Sequence, residues 1–229
     1  MSNKEPYSIK NLKKSLENIK YEEVKPLIAS QSTYTYSYEK IKKHFEELKK
    51  KKDYSEWLVI GSSIVYSWMP TILNIGGRDI NKNKKKSGEE QRTRNDIPSI
   101  EKEARISLKK INGNKDNSSG ADELQKIQLF INNSVVGMSK FLHFSFPEKY
   151  PIWDSRVESF LYATANNGKP TKSNYHRLKV LNNYLIYTES CLRLIDKKED
   201  FMKYFDEYEE LKDLKPLRKI EFLLFLKGE

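Results

Sequence analysis

The chain has one cysteine, Cys191, and three histidines, His44, His143 and His176, which lie far apart. A single thiol cannot form an internal disulfide, and no cysteine-rich zinc or iron–sulfur set can be built from it. The expectation is a protein with no metal and no cofactor, in a reducing cytoplasm. No secretory leader is visible in "MSNKEPYSIKNLKKSLE", which carries charges throughout. Period-two alternation is nearly absent. Only "STYTYSY", 32–38, reads as a strand, and it stands isolated. One stretch, 57–77, holds no charge, but Ser62, Ser63, Ser67 and Asn74 interrupt it and Pro70 would break a helix there. It is expected to be a fully buried central helix rather than a membrane span, so no membrane partner is expected.

Lysine and aromatic residues are abundant. Lys plus Arg number 42 against 32 Asp plus Glu, a net charge of +10. Such an excess suits a polyanionic partner, because each phosphate neutralised releases a counterion. It also suits an ordinary solvated surface, as for the lysine runs 49–52 and 84–86. Fourteen Tyr, ten Phe and three Trp supply core material out of proportion to the modest aliphatic content.

Helical spacing runs through most of the chain. Tyr38, Ile41, Phe45 and Leu48 form one stripe over 37–51, and the uncharged helix follows over 54–69. Residues 78–97 are polar and aperiodic, and are expected to form a flexible basic insertion. Pro98 and Ser99 open another helix, and "NGNKDNSSG", 112–120, breaks it. Helices are then predicted over 121–132, 138–146, 155–163, 174–195, 198–210 and 216–227. The class is all-α: one domain of two lobes.

The segment 121–163 reads as a unit: helix, short turn, helix, loop, aspartate, helix. Gly137, closing "NSVVG", is expected to give the turn its positive φ, with outward N–H groups able to hold a phosphate. Ser139 and Lys140 begin the next helix, where the dipole favours an anion. Asp154 stands between the "YPIW" run and a helix starting at Ser155, which is a preferred place for a capping aspartate.

These residues, "VVGMSKFLHFSFPEKYPIWDSRVESFL", 135–161, resemble the core motif of the helix-hairpin-helix base-excision DNA glycosylases, and "YPIWDSRVESFL" is closest in style to the adenine-mismatch branch. The resemblance implies a helix-hairpin-helix motif, with Asp154 as the catalytic carboxylate. It implies that 133–140 meets a DNA phosphate through Val136, Gly137, Ser139 and Lys140. The usual first glycine is Val135 here, and the usual lyase lysine position is Ser139, with Lys140 one residue on. That favours a monofunctional hydrolase, with Lys140 either a shifted nucleophile or a solvated lysine.

The chemistry asks for a fixed carboxylate beside an oxocarbenium-like sugar and for an aromatic pocket that takes the flipped base. Tyr66, Trp68, Met69 and Trp153 are the expected pocket, with core packing as the competing role for the two tryptophans. Arg156 is expected to pair with phosphate or with Glu158, and the basic residues of 78–94 and 169–179 to hold the DNA backbone. His143, inside an apolar helix, reads as a satisfied core histidine. The expected function is excision of a damaged or modified base from duplex DNA, such as a modified phage base in antiviral defence. The alternative is a non-catalytic nucleic-acid-binding module of a defence or toxin system.

Overall fold

The computed structural model describes residues 5–67, 69, 73, 97–114, 120–171 and 174–228, side chains excepted at 32–35, 175 and 200. The chain is all-α, with no β-strand among the described residues. It divides into two compact units: Met1–Lys40 with Leu142–Glu229, and Ile41–Phe141. The insertion expected over 78–97 lies outside the described residues up to position 96. No described helix is long and apolar enough to cross a membrane.

The first unit begins with α1 (Ile9–Glu17) and α2 (Tyr21–Ser30). It takes in the start of α3 (Ser32–Lys51). The segment expected as a strand is therefore helical. An isolated strand would leave its ladder groups unpaired, whereas helix continues the Tyr38, Ile41, Phe45 and Leu48 stripe, all four of which are buried. In the second unit α4 (Tyr54–Ser67) buries Trp57, Leu58, Gly61, Ser62, Val65 and Tyr66. It is not buried all round. Ile60 is 44% exposed, and Ser63 and Ser67 lie on the open side, each hydrogen-bonded to its own helix backbone. Absence of charge therefore marked one packed face, not two. α5 (Ile97–Gly113) packs on α4 and on α6 (Ala121–Phe130), and α7 (Val135–Ser145) follows.

The central helix of the first unit is α8 (Ser155–Ala165). It buries Val157, Phe160, Leu161 and Ala163, and also Glu158, Ser159 and Thr164. α1 and α12 (Pro216–Lys227) pack against it. Between them in sequence come α9 (Tyr175–Leu178), α10 (Leu181–Asp196), α11 (Lys198–Met202) and a 3₁₀ turn at Glu209–Leu211. The single helix expected over 174–195 is thus broken after Leu178, and the one over 198–210 is shorter. Gly228 ends α12 against α8. A Cβ there would fall within 2.1 Å of the Arg156 carbonyl oxygen, so the close approach requires glycine.

Aromatic residues carry this core. Trp153, Tyr184 and Tyr187 are wholly buried. Trp153 lies edge-on to Tyr7 at 5.2 Å and tilted against Tyr187 at 5.3 Å. His143 is also wholly buried: Tyr38 Oη lies 2.8 Å from its Nε2 and the Tyr150 carbonyl 2.8 Å from its Nδ1. A carbonyl only accepts, so Nδ1 carries the proton and Nε2 accepts from Tyr38. This histidine is a structural strut. Arg218 and Glu221 form a second buried pair, with the guanidinium over the Tyr38 ring at 4.4 Å.

Burial sets the alkaline limit of this unit. It pushes the hydroxyls of Tyr184 and Tyr187 and the Cys191 thiol above their ordinary values of 10.0 and 9.0. Tyr7 rises for the same reason, helped by the neighbouring Glu158 charge. Above those ordinary values the unfolded chain ionises while the folded one holds its protons, so stability falls as pH rises. The urea midpoint should stay level with respect to these groups up to about pH 9 and drop steeply by about pH 10.5. A midpoint unchanged between pH 8 and 10.5 would contradict it.

Candidate functional site

Asp154 is the N-cap of α8, with φ −145° and ψ −178°. Its Oδ1 accepts from the backbone N–H groups of Arg156 and Val157, both at 3.0 Å. Both bonds fall on one oxygen, so Oδ2 makes no hydrogen bond among the described residues. The residue is half-buried, at the end of the buried Pro151, Ile152 and Trp153 run. Local sequence fixes this geometry. The extended run carries the chain to the helix start, and aspartate there satisfies amides that helix geometry leaves unpaired. The result is a carboxylate held by two bonds, with a second oxygen that remains available.

One turn further along α8, Glu158 is wholly buried. Arg177 Nε donates to its Oε1 at 2.5 Å, and Tyr7 Oη donates to the same oxygen at 3.0 Å. The Arg177 guanidinium also lies over the Tyr162 ring, 3.5 Å from its centre. A buried carboxylate needs such partners, and Arg177 and Tyr7 answer most of its charge. Glu158 thus pairs with Arg177, and the Arg156 guanidinium stacks over Phe225 at 4.5 Å.

Arg177 also anchors a basic segment to α8. Ser159 Oγ donates to the Thr171 carbonyl and accepts from the Thr171 amide. The Trp153 indole N–H donates to the Leu178 carbonyl at 3.1 Å. The segment bearing exposed Lys169, His176 and Lys179 is thus tied to α8 at Thr171 and Arg177, and at Leu178 to Trp153 just before it. Tyr7, Glu158 and Arg177 had no reading as a set. The signals were Glu158 four positions after Asp154, on the same helix face, and an arginine among the 169–179 basics.

The hairpin residues differ from expectation. Gly137 is not in the turn. The turn is made by Asn132 and Asn133, at φ 56° and 50°, and α7 begins at Val135. Asparagine tolerates the left-handed region better than most residues, so no glycine is needed there. Gly137 lies within the first turn of α7, where a Cβ would come within 2.7 Å of Tyr66 Oη, so its role is close packing. Its amide is taken by Ser134 Oγ at 3.1 Å. Ser139 is wholly buried and donates to the Val136 carbonyl, which removes it as a phosphate contact. Val136 and Lys140 are half-buried.

The expected base pocket is also altered. Trp153 is a core residue with no exposed face, and Tyr66 is only 5% exposed against Gly137. Neither ring offers an open stacking surface, because both side chains are buried. Met69 is half-buried, and Trp68 lies outside the described residues. Asp154 and Arg156 belong to the first unit, and Tyr66 and Val136 through Lys140 to the second. Among the described residues no cluster of three or more His, Cys, Asp or Glu could hold a metal ion.

No family model, curated protein or solved structure matches the chain.

Substitutions at two positions test this geometry by stability. Asp154→Ala removes the cap and should cost about 1 kcal/mol, whereas Asp154→Asn, an equally good cap, should cost little. Arg177→Ala removes the guanidinium that bonds the buried Glu158 and should cost about 3 kcal/mol. Urea unfolding at pH 7 reads both. An Arg177→Ala protein as stable as the parent would mean that Glu158 does not depend on that partner.

Proposed function

We propose that the chain is a monofunctional DNA glycosylase that hydrolyses the N-glycosidic bond of a damaged or modified base flipped from duplex DNA, the modified bases of phage genomes being the favoured substrate class. The observation that carries the proposal is the state of Asp154. Its Oδ1 is fixed by two backbone amides, and its Oδ2 makes no hydrogen bond among the described residues. The likeness of 135–161 to the glycosylase core motif and the net charge of +10 are consistent with it.

The chemistry follows from that carboxylate. The bond between the sugar C1′ and the base nitrogen breaks, and the base leaves with the electron pair. The sugar becomes an oxocarbenium-like cation, which a fixed negative oxygen stabilises without reorganising. A water then adds at C1′, and its proton passes to Asp154 Oδ2. The products are the free base, protonated from solvent, and an abasic site. Lys169 and Lys179, on the segment tied to α8, would meet phosphates on the same unit. This reaction uses no metal step and no lysine adduct, so Lys140 has no part in it.

A second reading is a nucleic-acid-binding module without catalysis. The burial of Tyr66 and Trp153 favours it, because those rings supply no pocket for a flipped base. It predicts salt-sensitive binding and no abasic product on any DNA.

The deciding experiment incubates the protein with genomic DNA from phages carrying different base modifications, detects abasic sites and identifies the released base by mass. Asp154→Asn keeps the helix cap, so its effect is chemical. It should lower base release by about 10²-fold or more while leaving DNA affinity largely intact. Turnover equal to the parent's in that variant removes Asp154 from the reaction.

A further inference from the structure

A cleft of about 560 Å³ opens in the second unit where the end of α3 and the start of α4 meet α5, and Lys51, Lys52, Tyr54, Arg105 and Lys109 line it. Its charge is unequally answered. Lys51 is paired with Glu56 at 2.6 Å. Asp53, also in the wall, directs Oδ1 to the amides of Ser55 and Glu56 as the cap of α4. Lys52, Arg105 and Lys109 have no ion pair or hydrogen bond to a side chain among the described residues. Arg105 and Lys109 stand one turn apart on α5, a like-charge spacing that destabilises a helix unless an anion lies between them.

Lys52 stands at the end of α3, at φ 57°, in the left-handed region. Glycine or asparagine fills such a position at lower cost than lysine. Its amide donates to the Lys49 carbonyl at 3.3 Å, which closes the last turn of α3. Tyr54 gives the cleft a firm wall: its hydroxyl accepts from Asn112 Nδ2 at 2.9 Å and its ring leans on Trp57 at 5.8 Å.

We infer that this cleft is a phosphate-binding site that takes the phosphodiester backbone of duplex DNA, with Lys52, Arg105 and Lys109 as its contacts. The inference rests on the DNA-binding part of the proposed function and not on base excision. The site is separate from α8 and from the turn before α7, and it reads no sequence, because lysine and arginine on phosphate position a duplex without distinguishing bases. Asp53 lies in the same wall and disfavours an anion placed directly over α4, which leaves the Lys52, Arg105 and Lys109 side as the seat.

The test is the salt dependence of binding to a 20-bp duplex, read as the slope of log affinity against log salt. Each phosphate neutralised contributes about 0.9 to that slope. The variant carrying Lys52→Gln, Arg105→Gln and Lys109→Gln should lose about 2 to 3 from its magnitude. A control with Lys10→Gln, Lys20→Gln and Lys198→Gln, equal in charge change, should lose clearly less. Lys52→Gly alone should raise the melting temperature while lowering the slope by about 1, a combination that a purely structural lysine would not give. Equal slopes for the cleft variant and the parent overturn the site, and so does an equal loss in the control. Stabilisation of the parent by pyrophosphate together with an unchanged duplex slope in the cleft variant assigns the cleft to small phosphates and also overturns it. A parent that binds no duplex at low salt overturns both this site and the proposed function. Duplex binding without base release leaves the site standing and removes only the excision reading.

Discussion

A buried charge governs the first unit. Glu158 sits within α8 with no exposed surface, and a carboxylate in that position is tolerated only when its charge is answered. Arg177 and Tyr7 supply the answer, one from the short helix α9 and one from the segment before α1. Three stretches, the first of them far from the other two in sequence, are thereby committed to one point. The position of α8 is set by that commitment together with the packing of α1 and α12, and the position of Asp154 follows from that of α8, because the aspartate caps its first turn. The placing of the Asp154 carboxylate at the head of the helix thus depends on concealed electrostatics one turn below it.

The basic residues fall into two kinds of setting. Some are engaged: Lys227 with Glu23, Lys215 with Glu148, and Lys51 with Glu56. Exposed pairs of this sort contribute little to stability and mainly fix the local potential. Others face solvent unanswered, as on the α5 side of the cleft. The distinction matters more than the total charge, since an attractive field for a polyanion comes from the unanswered groups.

Much of the fold was legible. The stripe Tyr38, Ile41, Phe45 and Leu48 gave the body of α3, and the helical pattern over 216–227 gave α12. Asp154 as a helix cap could be read because capping is local: the aspartate, Ser155 and the following apolar spacing suffice. Other features were hidden for identifiable reasons. The tyrosine alternation in 32–38 mimicked a strand, since period two and helical spacing cannot be separated over seven residues. α8 did not look central, because Arg156, Glu158 and Ser159 break its apolar pattern, and only tertiary partners make two of them inner residues. Gly137 invited a turn, whereas the bend needed only two asparagines and the glycine serves Tyr66. The fate of the aromatic rings could not be read at all, because a tryptophan that stacks on a ligand and one that fills a core have the same local sequence.

The first unit is assembled from both flanks of the chain, with the second unit inserted between them. Tyr7 and Glu158 are 151 positions apart, so the bond that steadies α8 closes a very long loop. During synthesis the inserted segment emerges in full while most of the first unit, Leu142–Glu229, is still missing, and α1 and α2 must wait for helices made last. Contacts of such long range slow folding and leave apolar faces uncovered meanwhile. The same connectivity ties the first helices of the chain to the last, so neither end of the first unit is completed without the other.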